Sequence, residues 1–287
     1  MDGDVAAERQ AGQLGERAGE RPGVGADGER ARPGERAVGG AGAAAGGGGD
    51  GDEDGVDGGV EGVVGEAEDG VEAGVEEHSA AYVERAVAAA RSAGVQHLVR
   101  SSALGADPEA PGVGRDHGLG EAAVKGSGLG WTVVRPSFFA DNPVSYQAVT
   151  VLGGDGAFYG ASGGGRVAYA ASRDIAAVAV AALLHPEAHA GQTYAITGAE
   201  AVTDEQVAAL LSEIVGRPIR YVDLGAGYGD GLRSQGTPGW MADHLAFFEA
   251  VKANGWAAAP TDAVQRVLGR PPTPLRDALA EAVARAR

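Results

Sequence analysis

The feature that most limits what this chain can fold into is an abrupt change of composition near residue 79. Residues 1–78 hold 23 of the 50 Gly, no aromatic residue, no Ile and a single Leu, Leu14. They carry 20 acidic side chains against 6 Arg, a net of −14 out of −17 for the whole chain. Gly loses the most backbone entropy on ordering, and Ala and isolated Val bury little area in return. Low hydrophobicity with high net charge is the composition of disorder. Residues 1–78 are therefore expected to be a disordered Gly/Ala/Glu-rich segment. Residues whose codons begin with G (Gly, Ala, Val, Asp and Glu) make up 65 of these 78, as a GC-rich gene read in a shifted frame would give.

Residues 79–287 carry 20 acids against 17 bases and read as folded protein. An acidic chain without a basic stripe excludes nucleic acid as a partner, because phosphate contacts need clustered Lys and Arg. With no Cys, disulfide scaffolds, zinc ribbons and thiol catalysis are excluded. The scattered His residues lack metal-ligand spacing, so no metal site is expected. The longest apolar run, Ile175–Leu184, is ten residues, against about 20 for a membrane span. No membrane association is expected. The N-terminus lacks an apolar signal core, and a cytoplasmic location is expected.

Gly23, Gly25 and Gly28 match the dinucleotide spacing Gly-x-Gly-x-x-Gly, and Gly40, Gly42 and Ala45 match its Ala-ending form. In so Gly-rich a segment such matches arise by chance. The mechanism needs a buried strand before the loop and an apolar-faced helix after it. Neither flanks these residues.

Downstream, strands and helices alternate. Helices are expected over Ala80–Ala93, Asp116–Ser127, Val144–Leu152 and Ile175–Leu184, the last with Asp174 as N-cap. Thr203, with Gln206 three residues on, is expected to open another helix through a capping box. Residues 230–255 and 260–287 read as mostly helical. Strands are expected over Val95–Ser102, Trp131–Val134, Thr193–Thr197 and Ile219–Asp223, the second stopped by Arg135 and Pro136. Gly163–Gly165 reads as a hairpin turn. Trp240 and Trp256 are expected to pack the C-terminal helices. The alternation argues for an α/β fold with a parallel sheet.

Six segments come in order: VQHLVRSSALG (95–105), RDHGLGE (115–121), SGLGWTVVRPSFFADN (127–142), RDIA (173–176), GQTYAITG (191–198) and GRPIRY (216–221). Together they resemble the NmrA-like branch of the atypical short-chain dehydrogenase/reductases, over about residues 79–275. The resemblance implies a Rossmann-like parallel sheet lacking a recognisable first half, with a smaller C-terminal substrate lobe, all within residues 79–287. It implies NADP or NAD as cofactor and a small-molecule substrate such as a quinone. It allows a homo-oligomer or a regulatory protein partner. The family's Gly-rich pyrophosphate loop has no counterpart in residues 1–78.

The resemblance also points to site residues. Catalytic short-chain dehydrogenases place a Tyr and a Lys four apart on one helix. Here the positions hold His117 and Glu121. Glu121 is expected to raise the His117 pKa and favour imidazolium, which could act as a general acid. Cofactor or substrate contact by His117, or an exposed His–Glu pair, are the other readings. Ser101 and Ser102 end one strand; Pro136, Ser137 and Phe138 follow the next, where ligands sit in open α/β sheets. These five are the expected cofactor contacts, and Phe139 and Asn142 the substrate contacts. Arg135 is expected in a structural ion pair. Two alternatives to an NAD(P)H-dependent oxidoreductase stand beside it: a non-catalytic dinucleotide-binding sensor, and a truncated member without activity.

Overall fold

The computed structural model describes residues 75–287. The expectation of disorder before residue 75, and both Gly-rich matches, lie outside these residues. Helix α1 spans Val75–Ser92, where the sequence reading expected Ala80–Ala93.

A three-stranded parallel sheet has the order β1 (His97–Ser101), β2 (Gly130–Pro136), β5 (Gln192–Ile196). Leu98 pairs with Trp131, and Val134 with Tyr194. β1 reaches β2 through α2 (Val113–Lys125), the crossover that a parallel pair requires. β2 reaches β5 through a long excursion that returns along α4 (Ser172–Leu184) and the short α5 (Pro186–His189). Thr132, in the middle strand, is fully buried and donates its hydroxyl to the His189 carbonyl at 2.7 Å. This bond fastens the end of α5 to the sheet.

The excursion and most of the C-terminal third build a second lobe, which among the described residues is not the smaller part expected from the sequence. It contains α3 (Asn142–Ser145), β3 (Ala157–Gly160), β4 (Arg166–Val167), β6 (Val202–Thr203), α6 (Asp204–Val215) and β7 (Arg220–Asp223). It ends with α7 (Tyr228–Ser234), α8 (Gly239–Ala253) and α10 (Leu275–Arg285), while α9 (Ala263–Leu268) packs under the sheet. β3 pairs with β7 in parallel, and β4 with β6 antiparallel. Two apolar clusters hold the molecule: Val134, Ile175, Val178, Ile196 and Val264 under the sheet, and Val144, Phe158, Val207, Leu211 and Leu279 in the lobe.

Thr203 and Gln206 form the expected capping box, and Gly216 closes α6 in the left-handed region at φ 79°. Elsewhere the structure corrects the sequence reading. α4 is capped by Ala171, not Asp174. Asp174 lies inside the first turn, 1% exposed, and accepts from the Thr273 amide at 2.6 Å and Arg270 at 2.8 Å. β2 runs through Arg135 to Pro136 rather than stopping before them. Val144–Leu152 is not one helix. Pro143 opens a single turn, and a π-helical turn (Val149–Gly153) follows. Gly163–Gly165 is a turn but not a hairpin, because β3 and β4 pair with other strands. Trp256 packs against the lobe cluster, as expected, whereas Trp240 is 51% exposed.

Candidate active site

The three parallel strands end side by side, and the backbone continues their ladder past the ends. Ser102 N–H donates to the Val134 carbonyl at 2.7 Å, Leu104 N–H to Pro136 at 2.9 Å, and Ser137 N–H to Ile196 at 2.9 Å. This lines up the segments after β1 and β2 along the C-terminal edge of the sheet, where open α/β sheets place ligands. A cavity of about 1320 Å³ opens there, between the sheet edge and the lobe. Ser101, Ser102, His117, Pro136, Ser137, Phe138, Phe139 and Asn142, the eight site residues expected from the sequence, all line it.

The sheet-side wall is held by one buried carboxylate. Glu121, 2% exposed, accepts from Ser102 Oγ at 2.6 Å, Arg135 Nε and Nη2 at 2.8 Å each, and Lys125 Nζ at 2.7 Å. Burial alone would raise its pKa, but the bonds from Arg135, Lys125 and Ser102 outweigh this and hold it below the usual carboxylate value. Arg135 is thus in the expected structural ion pair. Ser102 still lines the cavity, with its hydroxyl hydrogen committed to Glu121.

His117 differs from the sequence expectation. Burial lowers its pKa first, the nearby Arg100 charge lowers it further, and Glu121 raises it less. The imidazolium expected from the Glu121 spacing is therefore disfavoured, because burial and the Arg100 charge outweigh Glu121. His117 Nδ1 is buried without a hydrogen-bond partner, as is Ser137 Oγ. Buried polar atoms are normally bonded. Two orphans on one cavity wall, beside Pro136 and Phe138, fit a ring that carries both hydrogen-bonding groups and a flat apolar face. That is the nicotinamide end of a dinucleotide. None of the three sheet strands is followed by a Gly-x-Gly-x-x-Gly turn.

The lobe-side wall is aromatic with a polar floor, and the sequence reading missed it. Phe138 meets Phe248 edge-on at 5.6 Å and Tyr169 at 6.4 Å. His244 meets Phe248 at 4.6 Å. Below them Lys252 Nζ lies 2.8 Å from Asp204 Oδ2 and 2.6 Å from Glu249 Oε1. Tyr169 donates to Asp204 Oδ1 at 2.7 Å. These partners are far apart in sequence, and the only local signal was the spacing of Glu249 and Lys252 on α8. Trp240, read as a packing residue, borders the same cavity. Among the described residues no three His, Asp or Glu side chains stand close enough to hold a metal ion. No described helix is long and apolar enough to cross a membrane.

Comparison with known proteins agrees with this architecture. The chain is 39% identical over 188 residues to an NAD(P)H azoreductase of Xenophilus azovorans, covering 64% of each chain. It is 37% identical over 201 residues to a (4-alkanoyl-5-oxo-2,5-dihydrofuran-3-yl)methyl phosphate reductase of Streptomyces griseus, covering 69% of this chain and 70% of that one. The chain thus spans about two thirds of the length of these relatives. The structure of the Escherichia coli NADPH-dependent quinone oxidoreductase complexed with NADPH superposes with a TM-score of 0.63 at 29% identity, over 75% of this chain and 73% of that one. The resemblance to NAD(P)-binding, NmrA-like reductases is borne out. A family model described as NAD(P)H-binding matches residues 36–186, beginning well upstream of residue 79. Since that match takes in more than half of its residues, the chain belongs to the NAD(P)H-binding family.

Proposed function

We propose that the chain is an NAD(P)H-dependent oxidoreductase that reduces a small planar electrophile such as a quinone. The observation that carries this reading is a cavity with two unlike walls. One wall presents the orphaned His117 Nδ1 and Ser137 Oγ, and the other is aromatic. The reductase names and the NADPH-bound neighbour support it.

A bound reduced nicotinamide supplies a hydride. Pro136 and Phe138 offer the flat apolar surface against which such a ring rests. Ser101 and the free Ser137 hydroxyl hydrogen-bond its amide, and Ser102 is held rigid by Glu121. His117, kept neutral by burial, holds a hydrogen bond rather than delivering a proton. Phe139 and Asn142, later on the same segment, reach the substrate. The lobe wall excludes water and stacks on the electrophile's rings.

The test is a titration of the full-length chain with NADPH, followed by cofactor fluorescence and calorimetry, and then NADPH oxidation with a quinone. Saturable micromolar binding with quinone-dependent oxidation is expected. No binding at millimolar NADPH would sink the reading.

A further inference from the structure

Tyr169 and Tyr228 are buried and line the lobe side of the cavity, and the half-buried Tyr221 packs against the lobe cluster. Tyr169 donates to Asp204 at 2.7 Å, and Tyr221 shares a 2.9 Å bond with Ser162 Oγ. Tyr228 is the exception. It opens α7, is 9% exposed and lines the cavity, and its hydroxyl makes no hydrogen bond among the described residues. Its ring is buried, but its hydroxyl oxygen is not one of the sealed-off polar atoms and stays open to a ligand in the cavity. Glu249 and Asp204 are turned to other donors: Glu249 accepts from Lys252 and from the Ala161 amide, and Asp204 from Lys252 and Tyr169.

We infer that the Tyr228 hydroxyl is a substrate-recognition group, donating a hydrogen bond to a carbonyl oxygen of the electrophile held in the cavity. The inference rests on the reading of this cavity as the substrate site. Burial, and then the Glu249 and Asp204 charges, push the Tyr228 pKa up to about 12. The phenol therefore keeps its hydrogen at working pH and acts as a donor, not a base. The donor comes from the C-terminal lobe, on the opposite wall from His117. The site thereby favours flat electrophiles with an oxygen acceptor over hydrocarbon rings of the same shape.

The test compares naphthoquinone with naphthalene, which share the fused rings and differ in the carbonyl oxygens. Binding of each to the full-length chain is measured by calorimetry without reductant. The wild type is expected to prefer naphthoquinone, and Tyr228→Phe to weaken its binding about fivefold to tenfold, the worth of one hydrogen bond. Naphthalene binding should not change. Tyr228→Phe removes only an unpartnered hydroxyl, and its folding is checked by thermal unfolding. Undiminished naphthoquinone binding in the variant, an equal loss for both ligands, or no naphthoquinone binding by the wild type would each overturn the inference. Because no turnover is needed, a wild type that binds naphthoquinone in this way but never oxidises NADPH defeats the oxidoreductase reading alone.

Discussion

Glu121 on the sheet side and Glu249 in the lobe are both buried carboxylates on helices, yet their surroundings push them in opposite directions. Glu121 has two cations to itself and a serine hydroxyl besides. Its pKa is lowered. Glu249 shares one cation, Lys252, with a second carboxylate, Asp204. Burial dominates there, Asp204 adds to it, and the pKa of Glu249 is raised. Donor supply, not depth alone, decides which form of a buried acid is stable. The sheet side is thereby a fixed wall in which cations outnumber the one carboxylate. The lobe side keeps excess negative charge next to the cavity.

The largest effect that tests this contrast comes from Lys252→Ala. Removing the shared cation leaves two buried acids facing each other, and a loss of about 3–5 kcal/mol is expected in denaturant unfolding at neutral pH. The sign of its pH dependence follows from the raised Glu249 pKa. A group that binds its proton more tightly when folded favours the fold at low pH and loses that contribution as pH rises through its folded pKa. The variant should therefore recover part of its stability as pH falls from neutral toward about 5. A loss that stays constant over this range would break the comparison.

Ser137→Ala comes next. It removes an unbonded hydroxyl from the sheet-side wall, so the fold should not weaken. NADPH affinity should fall about fivefold, with naphthoquinone binding unchanged, the reverse of Tyr228→Phe. Lys125→Ala should cost less, about 0.5 kcal/mol, because Lys125 is about a third exposed and Arg135 still holds Glu121. A cost as large as that of Lys252→Ala would erase the difference between the two sites. The smallest effect concerns His117, whose pKa is lowered in the fold. Its contribution is present above its unfolded value of 6.5 and is lost as pH falls through its folded value. His117→Gln should flatten the acid side of the stability profile slightly, read as Tm against pH.

What the sequence shows depends on how local the deciding contact is. The Thr203–Gln206 box is written within four residues, and the structure reproduces it. The eight cavity residues were legible because each ends or directly follows a strand, lies on α2, or continues the segment after β2. Asp174 was misassigned because its partner, Thr273, lies 99 residues away. With that partner invisible, a cap looked sufficient. β3 escaped because three residues between glycines carry no period, and Tyr221, which pairs with Phe158, belongs to a distant strand. Tyr228 and the Asp204–Lys252–Glu249 cluster were missed for the same reason. Their chemistry arises only when α6, α7 and α8 meet.

The split segment between β2 and β3 has a consequence of its own. Gln147, between α3 and the π-helical turn, accepts from the Tyr159 amide and donates to the Tyr159 carbonyl, both at 2.7 Å. One side-chain amide thus imitates a neighbouring strand for a single residue of β3. A bare strand edge is a template for intermolecular pairing and aggregation, and here a glutamine plugs it. A residue that lines the cavity therefore also guards the lobe against adding strands from other chains. A change at Gln147 made to suit a different ligand would expose that edge and cost solubility.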